Sequence, residues 1–137
     1  NAAGLTDASG LALQAARTLA EPTVPALKEF NALAFVKARP IPERAWAPAA
    51  AAIRARPTRA IFAALKMSDA LDLRLKDLHG ETVIVWGQGD GVLPLGFAGR
   101  FREGIAGARL DLVAGCGHLP QRECPETVSR ALFGAKP

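Results

Sequence analysis

The chain has 137 residues, of which half are hydrophobic and 22% are charged; it is long enough to enclose one buried core and too apolar to be a disordered segment. Its formal charge of +4 is spread over scattered arginines rather than gathered in a basic run with aromatic residues, which argues against a nucleic-acid partner. No uncharged apolar stretch reaches the roughly 18 residues of a membrane span.

The cysteines and the N-terminus bear on the cellular compartment. Cys116 and Cys124 lack the spacing of a CxxC site, and we expect both to be free thiols in a reducing compartment. The first residues contain neither an initiator methionine nor a signal-peptide pattern, so the chain is interpreted as part of a longer protein. A cytoplasmic location is the resulting expectation.

The first seventy residues are rich in alanine, and prolines divide them into predicted helices. Four helices are expected, and they begin near Asp7 or Ser9, Thr23, Pro42 and Pro57. Pro48 predicts a kink or a break within the third helix. In the fourth helix, one buried face is predicted from the spacing of four apolar residues, which are Ile61, Phe62, Leu65 and Met67.

After residue 69 the pattern changes to that of an α/β segment. Residues 82–86 form a continuous, β-branched and uncharged run, which is typical of a parallel strand that is covered on both faces. A Gly-rich loop, a helix, a second strand at about 108–113, a second Gly-rich loop and a final helix follow. This order predicts a right-handed βαβ crossover, and therefore an α/β fold preceded by a helical region.

Each of the two Gly-rich loops carries one polar residue that is suited to catalysis. Asp90 follows the first predicted strand and His118 follows the second. Because adjacent parallel strands deliver their loops to the same edge of the sheet, we expect the two side chains to lie within reach of each other. A carboxylate against the Nδ1–H of a histidine fixes its tautomer and leaves Nε2 as a general base.

The residues around Asp90 and His118 resemble two motifs of the α/β-hydrolase fold family. The loop after the first strand matches W-G-x-x-D-x-x-x-P, from Trp86 to Pro94, in which the aspartate is the acid of the catalytic triad. The second loop matches G-x-G-H-x-P-x-x-E-x-P-E, from Gly115 to Glu126. The acid precedes the histidine by 28 residues, which is the order of this family.

The resemblance implies the place of the chain within the family fold. Residues 71–137 would be the C-terminal part of the hydrolase sheet, with its last two parallel strands and their helices. Residues 1–5 are similar to the end of the sixth strand, and the helical region up to residue 70 would be the cap that follows that strand. Two strands cannot shield both faces and both edges of a sheet, so we expect the isolated chain to aggregate or to associate.

The family's nucleophile motif, Gly-x-Ser-x-Gly, does not occur in the chain, whose only serines are Ser9, Ser68 and Ser129. The resemblance therefore implies one portion of a serine-type hydrolase that cleaves an ester or a related acyl bond, with Asp90 and His118 as its catalytic residues. Its partners would be a small acyl substrate and either the missing N-terminal half or a second chain. No metal or organic cofactor is required.

Other functions stay open at this stage. The same family includes haloalkane dehalogenases, epoxide hydrolases and C–C bond hydrolases, and the residues that separate them are not in this chain. A non-catalytic truncated homologue, or a module that binds a small molecule or a partner, is the alternative from another class. A helical contact with a protein or membrane surface is a weaker third interpretation.

Four further features have structural interpretations. His79 is expected to be an exposed loop residue, and Cys116 a buried small residue rather than a nucleophile or metal ligand. Glu123 is expected to brace the histidine loop or to cap the last helix. Four aromatic residues could line an acyl pocket or simply belong to the core, and these are Phe30, Phe35, Trp46 and Phe62.

Overall fold

The structure, a computed structural model, describes residues 5, 9–64, 66 and 70–134. Its helices are α1 (Leu11–Ala20), α2 (Val24–Ala34), α3 (Glu43–Arg54), α4 (Thr58–Ala64), a 3₁₀ helix (Asp72–Asp77), α5 (Gly96–Gly104), α6 (Pro120–Glu123) and α7 (Pro125–Phe133). The strands are β1 (Val83–Gly87) and β2 (Arg109–Val113). None of the described helices is both long enough and apolar enough to cross a membrane.

The helices of the first half begin close to the predicted residues. The Ser9 hydroxyl accepts a hydrogen bond from the backbone N–H of Leu11 at 3.4 Å, whereas Asp7 lies outside the described residues. Thr23 caps α2 by accepting from the Ala26 N–H at 3.3 Å. The helix α3 continues through Pro48, so the expected break is not present.

The predicted buried face of α4 is wrong where the structure describes it. Ile61 is 63% exposed and Phe62 is half-buried, while Leu65 and Met67 lie outside the described residues. Leu73, in the 3₁₀ helix, is 85% exposed, and Phe133 at the end of α7 is also largely exposed. Exposed side chains of this size leave the described surface with apolar areas that no described residue covers.

The two strands pair in parallel, as the sequence predicts, and the helix α5 connects them. The register joins Val83 with Arg109 at one end and Gly87 with Val113 at the other. Within the described residues the sheet has two strands, so each strand has one unpaired edge. Residues 83–85 are only half-buried, so the expected cover on both faces of the first strand is incomplete here.

The core lies around the carboxyl end of β1. Trp86 is fully buried there, and Leu93 packs into the same cluster. Apolar side chains of α5 cover this end of the sheet, and the end of α2 reaches the same cluster through Ala34. This arrangement buries the last residue of each strand, so both loops begin next to the packed core.

Candidate active site

The two Gly-rich loops start side by side because their strands end in register. Gly87 is paired with Val113, and the next backbone N–H of the acid loop, that of Gln88, donates to the Val113 carbonyl at 3.0 Å. The N–H of Gly89 then donates to the carbonyl of Cys116 at 2.9 Å. The acid loop (residues 88–94) and the histidine loop (residues 114–119) are therefore joined by backbone hydrogen bonds.

Gly87 is the point of closest approach between the two loops. A β-carbon at this position would lie 2.0 Å from the carbonyl oxygen of Gly117 and 2.5 Å from that of Cys116. Both obstacles are backbone atoms, which cannot rotate away as a side chain could. Only glycine permits this packing, which explains the glycine that directly follows the buried tryptophan.

Asp90 and His118 are in contact, as predicted. The Oδ2 atom of Asp90 lies 3.0 Å from Nδ1 of His118, and its Oδ1 atom accepts hydrogen bonds from the N–H groups of Val92 and Leu93 at 2.8 and 2.9 Å. The Asp90 side chain is 1% exposed, and that of His118 is 18% exposed. Asp90 thus stabilises its own turn, through the Val92 and Leu93 amides, and contacts the imidazole at the same time.

Opposing effects act on the ionisation of Asp90. Burial disfavours the carboxylate and would raise its pKa, but hydrogen bonds from His118 and from the amides of Leu93 and Val92 outweigh burial and hold the pKa of Asp90 below its ordinary value. An ionised carboxylate is only an acceptor, so the proton between the two side chains belongs to Nδ1. The remaining ring nitrogen, Nε2, is then the one that can accept a proton from another group.

Two further contacts hold His118 in place. Its own backbone N–H donates to the carbonyl of Ala34 at 2.8 Å, and the Phe30 ring meets the imidazole edge-on with centroids 6.2 Å apart. Of the four aromatic candidates for a pocket, Phe30 is thus the one found against His118. Phe35 lies under the Arg122 guanidinium instead, 5.4 Å from its carbon to the ring centroid.

The prediction of free thiols is wrong, because Cys116 and Cys124 form a disulfide with Cα atoms 6.4 Å apart. The short helix α6 turns the chain back, so that two residues eight positions apart come within bonding reach. His118 lies inside the closed loop. The pairing removes Cys116 from consideration as a nucleophile or metal ligand, and the inference from free thiols to a reducing compartment loses its basis.

Two other sequence predictions concern His79 and Glu123. His79 is exposed, as expected. Glu123 accepts hydrogen bonds from the backbone N–H groups of Gly117 and Lys37, so it braces the histidine loop; the N-cap of α7 is Cys124, without a side-chain cap bond. The contributions of Ala34 and Lys37 were not foreseen, because both act through backbone atoms and carry no sequence signal.

Two curated hydrolases show sequence similarity to part of the chain. The 2-hydroxy-6-oxononadienedioate/2-hydroxy-6-oxononatrienedioate hydrolase 1 of Pseudomonas putida is 32% identical over 76 residues, which are 56% of this chain and 27% of that protein. The corresponding hydrolase of Escherichia coli (strain K12 / DH10B) is 35% identical over 66 residues, 47% of this chain and 23% of that protein. The matched region thus spans about a quarter of the length of these relatives, and no family model matches the chain.

Solved structures of hydrolases share the fold. A membrane phospholipase A, described as a bacterial virulence factor, superposes with a TM-score of 0.72 at 24% identity, covering 96% of this chain and 46% of that one. An esterase from Exiguobacterium antarcticum gives a TM-score of 0.65 at 22% identity, covering 88% of this chain and 45% of that one. The chain therefore has the α/β-hydrolase fold, of which it forms a C-terminal portion.

Proposed function

We propose that the chain is the part of a serine-type α/β-hydrolase that supplies the acid, Asp90, and the general base, His118, for cleavage of an ester or a related acyl bond. The observation that carries this proposal is the 3.0 Å contact between a buried carboxylate and Nδ1 of an imidazole at the carboxyl ends of two parallel strands. The nucleophile would come from the N-terminal half of the enzyme or from a second chain.

The division of the chain belongs to the same proposal. Residues 1–70 would form the cap, and residues 71–137 the C-terminal core segment with both catalytic loops. In support, the end of helix α2 contacts both loops, because Leu33 and Ala34 accept hydrogen bonds from the backbone N–H groups of Gly91 and His118. Phe30 of α2 would then face the acyl group of the substrate from the cap.

The chemistry of the two residues is that of a triad. His118 Nε2 would take the proton of the serine hydroxyl as the serine oxygen attacks the acyl carbon, and would return it to the leaving alcohol when the tetrahedral intermediate collapses. In the second half of the reaction Nε2 would take a proton from the water that attacks the acyl-enzyme, and would give it to the serine oxygen as the second tetrahedral intermediate collapses and releases the acid. Asp90 stabilises the imidazolium formed in each half, because its carboxylate is ionised and in contact with Nδ1.

The test is complementation of the chain by the nucleophile-bearing half of its own enzyme. The reconstituted protein should hydrolyse a p-nitrophenyl ester, and His118→Ala should lower kcat by about 10⁴-fold or more. His79→Ala is the matched control, because this histidine is exposed and outside the site. Retained turnover in the His118→Ala protein would remove the catalytic role, and a folded but inactive complex would favour the non-catalytic binding module.

A second candidate substrate class comes from the curated relatives. Both are named as hydrolases of 2-hydroxy-6-oxo dioates, at identities of 32% and 35%. The same reconstituted enzyme should therefore be assayed with such a dioate beside the ester. A kcat/KM for the dioate that exceeds that for the ester would replace the esterase proposal with this one, while the roles of Asp90 and His118 would still be tested by the same variants.

A further inference from the structure

Glu123 stands between the histidine loop and the segment that follows α2. One of its carboxylate oxygens, Oε2, accepts from the N–H of Gly117 at 2.6 Å, and the other, Oε1, accepts from the N–H of Lys37 at 2.7 Å. Both oxygens are therefore engaged, each by a backbone amide from a different part of the chain. Hydrogen bonds to an ionised carboxylate are stronger than those between neutral groups.

The segment of residues 33–37 makes two more contacts with the candidate site. The Leu33 carbonyl accepts from the N–H of Gly91 in the acid loop at 3.1 Å. The Ala34 carbonyl accepts from the N–H of His118 at 2.8 Å, and Ala34 is completely buried. The segment of residues 33–37 therefore binds both loops, and the Glu123 side chain binds the C-terminal end of this segment at Lys37.

We infer that Glu123 is a positioning residue, which keeps the 33–37 segment docked and thereby keeps the His118 imidazole against Asp90. Glu123 touches neither reacting group, and it acts through Gly117, the neighbour of His118. This inference rests on the proposed function only in treating the pair as catalytic. The hydrogen-bond coupling itself concerns the described chain alone.

The packing around Gly117 is too tight for the loop to compensate for the loss of the Glu123 carboxylate without moving. A β-carbon on Gly117 would lie 2.5 Å from the Ala34 carbonyl oxygen and 3.1 Å from Glu123 Oε2. Gly117 is buried, and its N–H donates to the Glu123 carboxylate, so loss of that charge-assisted hydrogen bond would favour a rotation of the peptide group. That rotation would displace the backbone of the adjacent His118 and weaken its hydrogen bond to the Ala34 carbonyl.

The direct test compares Glu123→Ala and Glu123→Gln with Glu126→Gln, an exposed glutamate of α7 that serves as control. The readouts, by NMR on the chain, are amide hydrogen exchange, the Nδ1 proton resonance of His118 and the titration of the Asp90 carboxyl. For Glu123→Ala we expect exchange of the Gly117 and Lys37 amides to accelerate by about tenfold or more. The Nδ1 resonance should broaden, and the pKa of Asp90 should rise as the contact with His118 loosens.

The Gln variant keeps the size of the side chain but offers one acceptor oxygen. It should protect only one of the two amides, and it remains measurable if the Ala variant does not fold. An Nδ1 resonance and an Asp90 titration that are unchanged in a folded Glu123 variant, with only thermal stability reduced, would overturn the positioning role. Because these readouts need no turnover, they decide the inference even if the reconstituted enzyme proves inactive.

Discussion

Replacement of Asp90 by asparagine tests the central pair most directly, because it removes the charge while it keeps the shape. The Asp90 Oδ1 atom accepts from the Val92 and Leu93 amides, and an asparagine oxygen can occupy that place unchanged. Its NH₂ group then points at Nδ1 of His118, where Oδ2 stands in the native chain. Two donors cannot face each other, so the neutral imidazole should move its proton to Nε2.

The size of the effect follows from what each atom loses. The loop keeps two backbone hydrogen bonds, so the stability cost should be limited to the charge-assisted bond, about 1–3 kcal/mol for a side chain that is 1% exposed. The catalytic cost should be larger, because an Nε2 that carries a proton is no longer a base. An asparagine in the acid position of the serine-protease triad lowers kcat by about 10⁴-fold, and a loss of this order is expected in the reconstituted enzyme.

The assay is the ¹⁵N spectrum of the labelled imidazole at neutral pH, which distinguishes the Nδ1–H from the Nε2–H tautomer. The native chain should show the Nδ1–H form and Asp90→Asn the Nε2–H form. Asp111→Asn on β2 is the control, since that aspartate is 27% exposed and pairs with Arg109 rather than with a histidine. An unchanged tautomer in Asp90→Asn would refute the orienting role of the carboxylate.

Three further predictions concern stability. Gly87→Ala should destabilise the protein by about 1–3 kcal/mol or more, since its β-carbon would lie 2.0 Å from a backbone oxygen. The control Gly99→Ala, which has open space around it inside α5, should stabilise the protein by about 0.5–1 kcal/mol. Equal urea unfolding midpoints for the two variants would contradict this prediction. Because the pKa of Asp90 is lowered in the folded protein, ionised Asp90 contributes to the free energy of unfolding above the carboxyl pKa of the unfolded chain, and this contribution is lost as the pH falls through the folded pKa. Acid titration followed by circular dichroism should show this loss of stability in the native chain, and Asp90→Asn should lack it. Reduction of the disulfide between Cys116 and Cys124 should cost about 2–3 kcal/mol by loop entropy, and the idea fails if dithiothreitol leaves the thermal midpoint unchanged.

The α/β half of the fold was predictable because its signals are local. A β-branched uncharged run gives the first strand to within one residue, and the parallel pairing follows from a connection long enough for a helix. The contact between Asp90 and His118 follows in turn, because strands in register bring their following loops to one edge. The sequence pattern therefore predicts the contact between the two side chains, since the place of each depends on its position after a strand.

The helical half was less predictable because its contacts are tertiary. The apolar spacing of α4 suggests a buried face, yet Ile61 is largely exposed, since periodicity states which residues share a face and not whether anything covers it. The disulfide escaped prediction because its spacing becomes meaningful only once α6 has turned the chain. The docking of residues 33–37 was not predicted because backbone N–H and C=O groups of this segment make the hydrogen bonds, and such groups are present in every sequence.

The pair is preorganised by the chain's own contacts, and this bears on how the proposed enzyme would be assembled. Asp90 is fixed by its own loop, and His118 is fixed by Asp90, by Ala34 and by the loop that Glu123 braces. None of these bonds involves a nucleophile or an oxyanion hole. Under the proposed function, the other half of the hydrolase would therefore meet an acid–base pair that is already aligned, and docking would not have to supply the energy to order it. Leu73 and Phe133, the most exposed of the large apolar side chains in the described part of the chain, are then the natural place for that docking, because they lie outside the pair and its supports.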